Sequence, residues 1–277
     1  MIQEFLAAAE IWRDALAAAA IAGGLCGFLG VYVVLRRTVF VSAALTQIST
    51  LGLVAAIAAE EALGAEVERA SVQLVVATVF SILGALLLGT ASHRRIPAEA
   101  RIGVAYVLAG ALVVLGSSRL VHAAHDLAGM VFGNAVAVSL ADVAVVGVIA
   151  ATCFALHAIF AKEILFSSFD GETAAAMGMR PARWNALLYF TLGLAIPASA
   201  RILGALPVFA FLTVPASIAL LSGIGLRATF VVATIVGVLA GAGGYVVSWF
   251  WQLPTGPTMV VTAAAFAVPA LLARARS

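Results

Sequence analysis

Lys162–Asn185 reads KEILFSSFDGETAAAMGMRPARWN, and it is the odd stretch in an apolar chain. It gathers a Lys, two Glu, an Asp and two Arg in a segment too polar to cross a bilayer. Its middle, Glu172 to Met179, is an Ala-rich run closed by Gly178 and followed by Pro181. That pattern predicts a short helix with Asp170 or Thr173 near its start and a glycine stop. A compact helix in the largest polar loop of a membrane protein suits either of two roles, a docking element for a partner or a solvated connector between spans.

The surroundings decide the fold class. Of the 277 residues 64% are hydrophobic and 10% charged, and the mean hydropathy is +1.15. Soluble domains carry about 25% charged residues, so a chain this apolar belongs in lipid. Only helices and closed barrels satisfy their backbone there. A barrel would alternate over strands of about ten residues. Long unbroken apolar runs predict an all-α polytopic membrane protein instead, a single transmembrane domain over 1–277 with its polar loop at about 162–185.

Outward from that loop, nine apolar segments appear: Ala15–Leu35, Ser42–Ala59, Ser71–Thr90, Ile102–Gly116, Leu140–Ala161, Ala186–Ala200, Gly204–Ser222, Thr229–Trp249 and Met259–Ala273. Several fall short of the roughly 20 residues a straight span needs. The expected count is therefore eight or nine, with broken or half helices around Arg201 and over Leu127–Ser139. Pro207 and Pro215 are expected to unwind or kink the seventh segment. Gly23, Gly24, Gly27, Gly30, Gly241, Gly243 and Gly244 read as sites of close helix approach.

Basic residues set the orientation. Arg36/Arg37, Arg94/Arg95, Lys162/Arg180/Arg183 and Arg274/Arg276 follow spans one, three, five and nine. The acidic loop at Glu60–Glu68, the stretch Ser117–Asp126 and the Trp249–Trp251 turn fall on the other face. The N-terminus is expected outside and the C-terminus in the cytoplasm. No cleavable signal sequence is read before the first span, no GxxxxGK[ST] or HExxH motif occurs, and the scattered cations give no nucleic-acid footprint. Cys26 and Cys153 lie in apolar runs and read as small core residues.

Three constellations are candidates for solute chemistry. Ser42, Thr46 and Ser49 share a stripe of the second span, with Gln47 and Thr50 beside it. That stripe suits a pathway for a neutral or chelated solute, or ordinary interhelical packing. His122, His125 and Asp126 place three metal-capable groups within one turn, and the alternative is a polar external loop. Cys153 and His157 share a face of the fifth span, where packing is favoured over soft-metal binding.

Five pieces, in order, resemble the permease subunits of the zinc/manganese-type ABC importers. They are GFLGVYVVLRR at Gly27–Arg37, DLAGMVFGNAVAVS at Asp126–Ser139, FDGETAAAMGMRP at Phe169–Pro181, RILGALPVFAFLTVPASIA at Arg201–Ala219 and LPTGPTMVV at Leu253–Val261. The resemblance implies a homodimer in the plasma membrane, fed by an extracytoplasmic substrate-binding protein. A separate cytoplasmic ATPase would bind ATP and Mg, so the chain itself is not expected to be an enzyme. The residues it implies for ATPase docking are Phe169, Asp170, Glu172, Ala175, Gly178 and Arg180. The implied cargo is a divalent transition metal such as zinc, manganese or iron. The second span departs from the family here, because its Asp and His positions correspond to Ala43 and Gln47. A cation crossing a low-dielectric region needs ligands to replace its water. A metal chelate, another small solute, a secondary transporter and a non-transporting scaffold are the alternatives.

Overall fold

In lipid an apolar run has no hydrogen-bond partner but itself, so it closes into helix. The computed structural model describes residues 9–63, 69–90, 97–120 and 138–268. Among these residues there are helices and no strands. In order they are α1 (Ala9–Leu35), α2 (Phe40–Leu63), α3 (Arg69–Thr90), α4 (Ala98–Ser117), α5 (Leu140–Ile159), α6 (Ala161–Phe169), α7 (Gly171–Ala176), α8 (Pro181–Leu203), α9 (Ala205–Leu221), α10 (Leu226–Trp251) and α11 (Thr255–Ala265). Among the described residues seven helices, α1 to α5, α8 and α10, are long and apolar enough to span a membrane. The apolar helix α9 is shorter.

Among the described residues a helix underlies each of the nine apolar segments, the ninth as far as Ala265, with residues 269–273 outside the described residues, and the corrections concern ends and breaks. The fourth and sixth segments, read as short, belong to helices of 20 and 23 residues. Polar turns such as Ala98–Arg101 and Pro181–Asn185 continue the helix without adding hydropathy. The fifth ends at Ile159, because Phe160 leaves helical geometry at φ −107° and ψ 24° and α6 begins afresh. Neither proline unwinds the seventh segment: α9 runs through both. Pro207 sits in the first turn, where an N–H has no partner to lose. Pro215 removes one interior bond, which neighbouring packing tolerates in a membrane helix. One residue, Gly204 at φ 96°, separates α8 from α9. Of the Leu127–Ser139 half-helix, residues 127–137 lie outside the described residues.

The described chain divides into two compact units. The first holds residues 9–34, 138–152 and 198–268. Its α1 and α10 meet backbone to backbone. A Cβ on Gly23 would strike the Gly237 carbonyl oxygen, and one on Gly237 would strike that of Gly23. Gly27 faces the Ala233 carbonyl, Gly241 that of Ala19, and Gly30 that of Leu212 in α9. Lipid tails are as apolar as leucine, so van der Waals contact of this kind, not hydrophobic exclusion, holds membrane helices together. The Phe28 and Tyr32 rings pack on Phe230 at centroid distances of 5.2 and 4.8 Å. Arg201 Nη2 lies 3.0 Å from Asp142 Oδ1. Asp142 also caps α5 reciprocally with Ser139, whose hydroxyl donates to Oδ2 at 2.8 Å while the Asp142 N–H donates back at 3.3 Å.

The second unit holds residues 35–63, 69–90, 97–120 and 153–197. Here α2 packs on α3 and α4, with Gly52 under Phe80, Gly84 against Ile48 and Gly116 against Val54. Gly193 of α8 lies against the Ile82 backbone of α3. This unit contains the polar stretch Lys162–Asn185.

Candidate functional site

The sequence DGETAAAMG builds α7 with a device at each end. Asp170 is the N-cap, with φ −145°, and its carboxylate accepts the Thr173 N–H at 2.9 Å. Hydrogen bonding by Thr173, hydroxyl and N–H, holds the Asp170 carboxyl below its ordinary 3.8, and the Glu172 N–H adds to it. Alanine carries the strongest helix propensity, and Ala174–Ala176 fills the body. At the far end Gly178 adopts φ +82°. Its N–H donates to the Ala175 carbonyl and the Met179 N–H to the Ala174 carbonyl, both at 3.0 Å. Those two bonds and the left-handed glycine make a Schellman stop. The helix therefore covers Gly171–Ala176, starting one residue before and ending three residues before the stretch Glu172–Met179. Pro181 then opens α8, its missing N–H costing nothing in a first turn.

One residue of the helix is fully buried, and Gly171 at its start is half-buried. Ala174 is fully buried, as is Ile164 of α6. Phe169, Asp170, Glu172, Ala175, Gly178 and Arg180, the six residues named for docking, are all exposed. Thr173, expected at the helix start, and Met177, which is not among those six, are exposed beside them. Met177 is 71% exposed and Phe169 59%, so α7 is flanked by two unburied apolar side chains. A methionine inside a polar loop was the available signal. The stretch before Asp170, read as loop, is the helix α6. Phe160, at the head of α6, stacks on Trp184 of α8 with ring centroids 5.2 Å apart. Arg36 donates from Nε to the Ser168 hydroxyl at 2.8 Å, and from Nη1 to Asn185 Oδ1.

The candidate pathway residues lie on α2. Ser42, Thr46, Ser49 and Thr50 are buried. Ser42 and Thr46 donate to the Val39 and Ala43 carbonyls at 2.7 Å, and Thr50 to that of Thr46 at 2.9 Å. Those hydroxyl protons are committed to carbonyls three or four residues back, in α2 or, for Ser42, just before it, the usual arrangement for Ser and Thr inside a helix. Ala43 and Gln47 are half-buried. The Gln47 amide sits beside Gly110 of α4, where a Cβ would lie 3.7 Å from Oε1.

Cys153 and His157 are both drawn to Thr191 of α8. The cysteine sulfur lies 3.8 Å from its carbonyl, and His157 Nε2 lies 3.0 Å from its hydroxyl. The Thr191 hydroxyl proton goes to the Leu188 carbonyl at 2.8 Å, which leaves Nε2–H as the donor to Thr191. His122, His125 and Asp126 lie outside the described residues. Among the described residues no group of three or more His, Cys, Asp or Glu is gathered closely enough to hold a metal ion.

The chain is similar to several transport proteins. It is 28% identical over 203 residues to the manganese transport system membrane protein MntC of Halalkalibacterium halodurans, covering 72% of this chain and 65% of that protein. To the protein of the same name from Listeria innocua it is 32% identical over 137 residues, 49% of each chain. The chain thus spans about half to just under two thirds of the length of the curated relatives it matches. In three dimensions it matches the structure of PsaBC from Streptococcus pneumoniae in complex with Fab, with a TM-score of 0.82 and 25% identity, covering 98% of this chain and 95% of that one. Residues 8–274 match the ABC 3 transport family, and the chain belongs to that family.

Proposed function

We propose that this chain is the membrane-spanning permease subunit of an ATP-driven importer. The observation that carries the reading is α7: a helix capped at both ends, with Ala174 its one fully buried residue, and flanked by exposed Phe169 and Met177. Two unburied apolar side chains beside a solvent-facing helix suit a protein partner. That partner is a cytoplasmic ATPase, which binds ATP and Mg and supplies the hydrolysis this chain does not perform. Its closure would displace α7, and the displacement would pass to the adjoining ends of α5 and α8. A second copy of the chain would complete the pathway within the surrounding lipid. An extracytoplasmic binding protein would deliver the solute. The plasma membrane is the proposed location, with α7 and the C-terminus cytoplasmic and the N-terminus outside, following the basic residues after spans one, three, five and nine.

The proposed cargo is a divalent transition metal, zinc, manganese or iron, and the name of the H. halodurans relative supports manganese. One observation favours a second reading. The α2 face offers Ala43 and Gln47, and the hydroxyls of Ser42, Thr46 and Thr50 are bound to carbonyls three or four residues back. Neutral groups replace a cation's water poorly, so a metal chelate is the second candidate.

Co-purification tests the first reading. An ATPase partner should be retained by the unaltered chain and lost after Gly178→Pro or deletion of Glu172–Gly178. Assembly that survives both changes refutes docking through α7. Vesicle uptake of manganese, zinc and iron, each free and chelated, separates the two cargoes. Uptake of the free ion refutes the chelate reading, and uptake confined to chelates refutes the bare-ion one.

A further inference from the structure

Arg36 and Arg37 look alike in sequence, a basic pair closing the first span, but they are used differently. Arg37 is exposed and turns the chain toward α2 in a left-handed conformation, φ 57°. Arg36 is half-buried, and its guanidinium spans two helices. Nε donates to Ser168, the next-to-last residue of α6, at 2.8 Å. Nη1 donates to Asn185, the fifth residue of α8. Ser168 in turn donates to the Ile164 carbonyl of its own helix, which fixes the hydroxyl as an acceptor for Arg36. The two acceptors are 132 and 149 residues away in sequence, and they stand on either side of α7. The cation is also within electrostatic reach of His157, near the end of α5.

The geometry matters because α7 itself is small. Six residues with one fully buried side chain cannot carry a load into the spans unless the helices on both sides move with them. A guanidinium is a rigid planar fork that can hold two acceptors at a fixed separation, which a lysine ammonium does not. We infer that Arg36 is a positioning residue for the docking element: it clamps α6 to the start of α8, so that displacement of α7 moves both helices together. The inference rests on the importer reading, since it concerns how the docking helix is coupled to the membrane.

Hydrogen exchange read by mass spectrometry tests it, on the full chain in nanodiscs with and without its ATPase. In the unaltered chain, ATPase binding should slow exchange over 161–169, 171–176 and 181–190 together. In Arg36→Gln the affinity for ATPase should be unchanged, and exchange in the free chain should match that of the unaltered chain. The added protection should remain in 171–176 and be lost in 161–169 and 181–190, with Arg36→Lys restoring only part of it. Protection that stays coupled in Arg36→Gln overturns the inference. So does faster exchange of those helices already in the free variant, or loss of ATPase binding, because either makes Arg36 a part of the fold or of the docking face itself. If Arg36→Gln does not fold, the double variant Ser168→Ala/Asn185→Ala keeps the guanidinium, removes both acceptors and is judged by the same outcomes. An unaltered chain that binds no ATPase overturns the importer reading and the inference with it; one that binds while the variant behaves identically overturns the inference alone.

Discussion

Replacing Gly178 with alanine isolates the contribution of one backbone angle. Gly178 holds φ +82°, and a Cβ built there meets no atom within 4 Å. Alanine therefore adds no clash, and its whole cost is the left-handed conformation, about 1–2 kcal/mol for an L-residue. Six residues form too short a helix to persist unaided, and the N–H groups of Gly178 and Met179 satisfy two of its last carbonyls. A cost of that size lowers the population of the capped form, and apparent affinity falls in proportion to the competent fraction. The expected loss in ATPase affinity is roughly 5- to 30-fold. The assay is a titration of labelled ATPase onto the permease in nanodiscs. Gly178→Asn should fall between glycine and alanine, because asparagine tolerates the left-handed region. Gly171→Ala should bind like the unaltered chain, since its Cβ would sit 3.9 Å from Pro181 at ordinary contact distance. If Gly178→Ala binds as tightly as glycine, or asparagine is worse than alanine, the capping argument is wrong.

The remaining expectations are briefer. The Asp170 carboxyl is held below its ordinary value, so its capping contribution is complete above about pH 4 and is lost as pH falls through the lowered folded-state value; amide exchange at Thr173 should quicken across that acid window, and Asp170→Asn should abolish the dependence. Gly237→Ala places a methyl against the Gly23 carbonyl and should destabilise by about 1–3 kcal/mol, read as a lowered melting temperature in detergent, whereas Gly147→Ala, with open space around it, should not. Arg201→Met leaves Asp142, whose side chain is 14% exposed, without its 3.0 Å partner; the loss should be on the order of 1–3 kcal/mol, between the exposed and buried limits for ion pairs, and adding Asp142→Asn should recover part of it.

Apolar run length located every long helix among the described residues because in lipid the run and the helix are nearly the same object. It failed at the ends for a physical reason. Ala98–Arg101 and Pro181–Asn185 are helical by hydrogen bonding but not apolar, so hydropathy stops before the helix does. The helix α6 was missed for the same reason, since Lys162, Glu163, Ser167 and Ser168 dilute its apolar residues. The α7 caps were legible because Asp and Gly act locally, through bonds to residues three or four away. The hydroxyl stripe was legible only as a direction. Spacing puts Ser42, Thr46 and Ser49 on one face, but it does not reveal that the Ser42 and Thr46 protons turn back onto carbonyls three residues earlier. Arg36 was least legible of all: a basic residue after a span reads as an anchor to the interface, and its acceptors lie well over a hundred residues away.

The meeting of α1 with α9 and α10 has a genetic consequence. Every single-base change that converts a glycine codon into another amino acid introduces a Cβ. At Gly23, Gly27, Gly30, Gly237 and Gly241 that atom lands on main chain, which cannot adopt another rotamer to make room. A second-site suppressor would have to move a helix rather than trim a side chain. Saturation mutagenesis should therefore find these five codons among the least permissive in the gene, with few partners able to compensate for their loss.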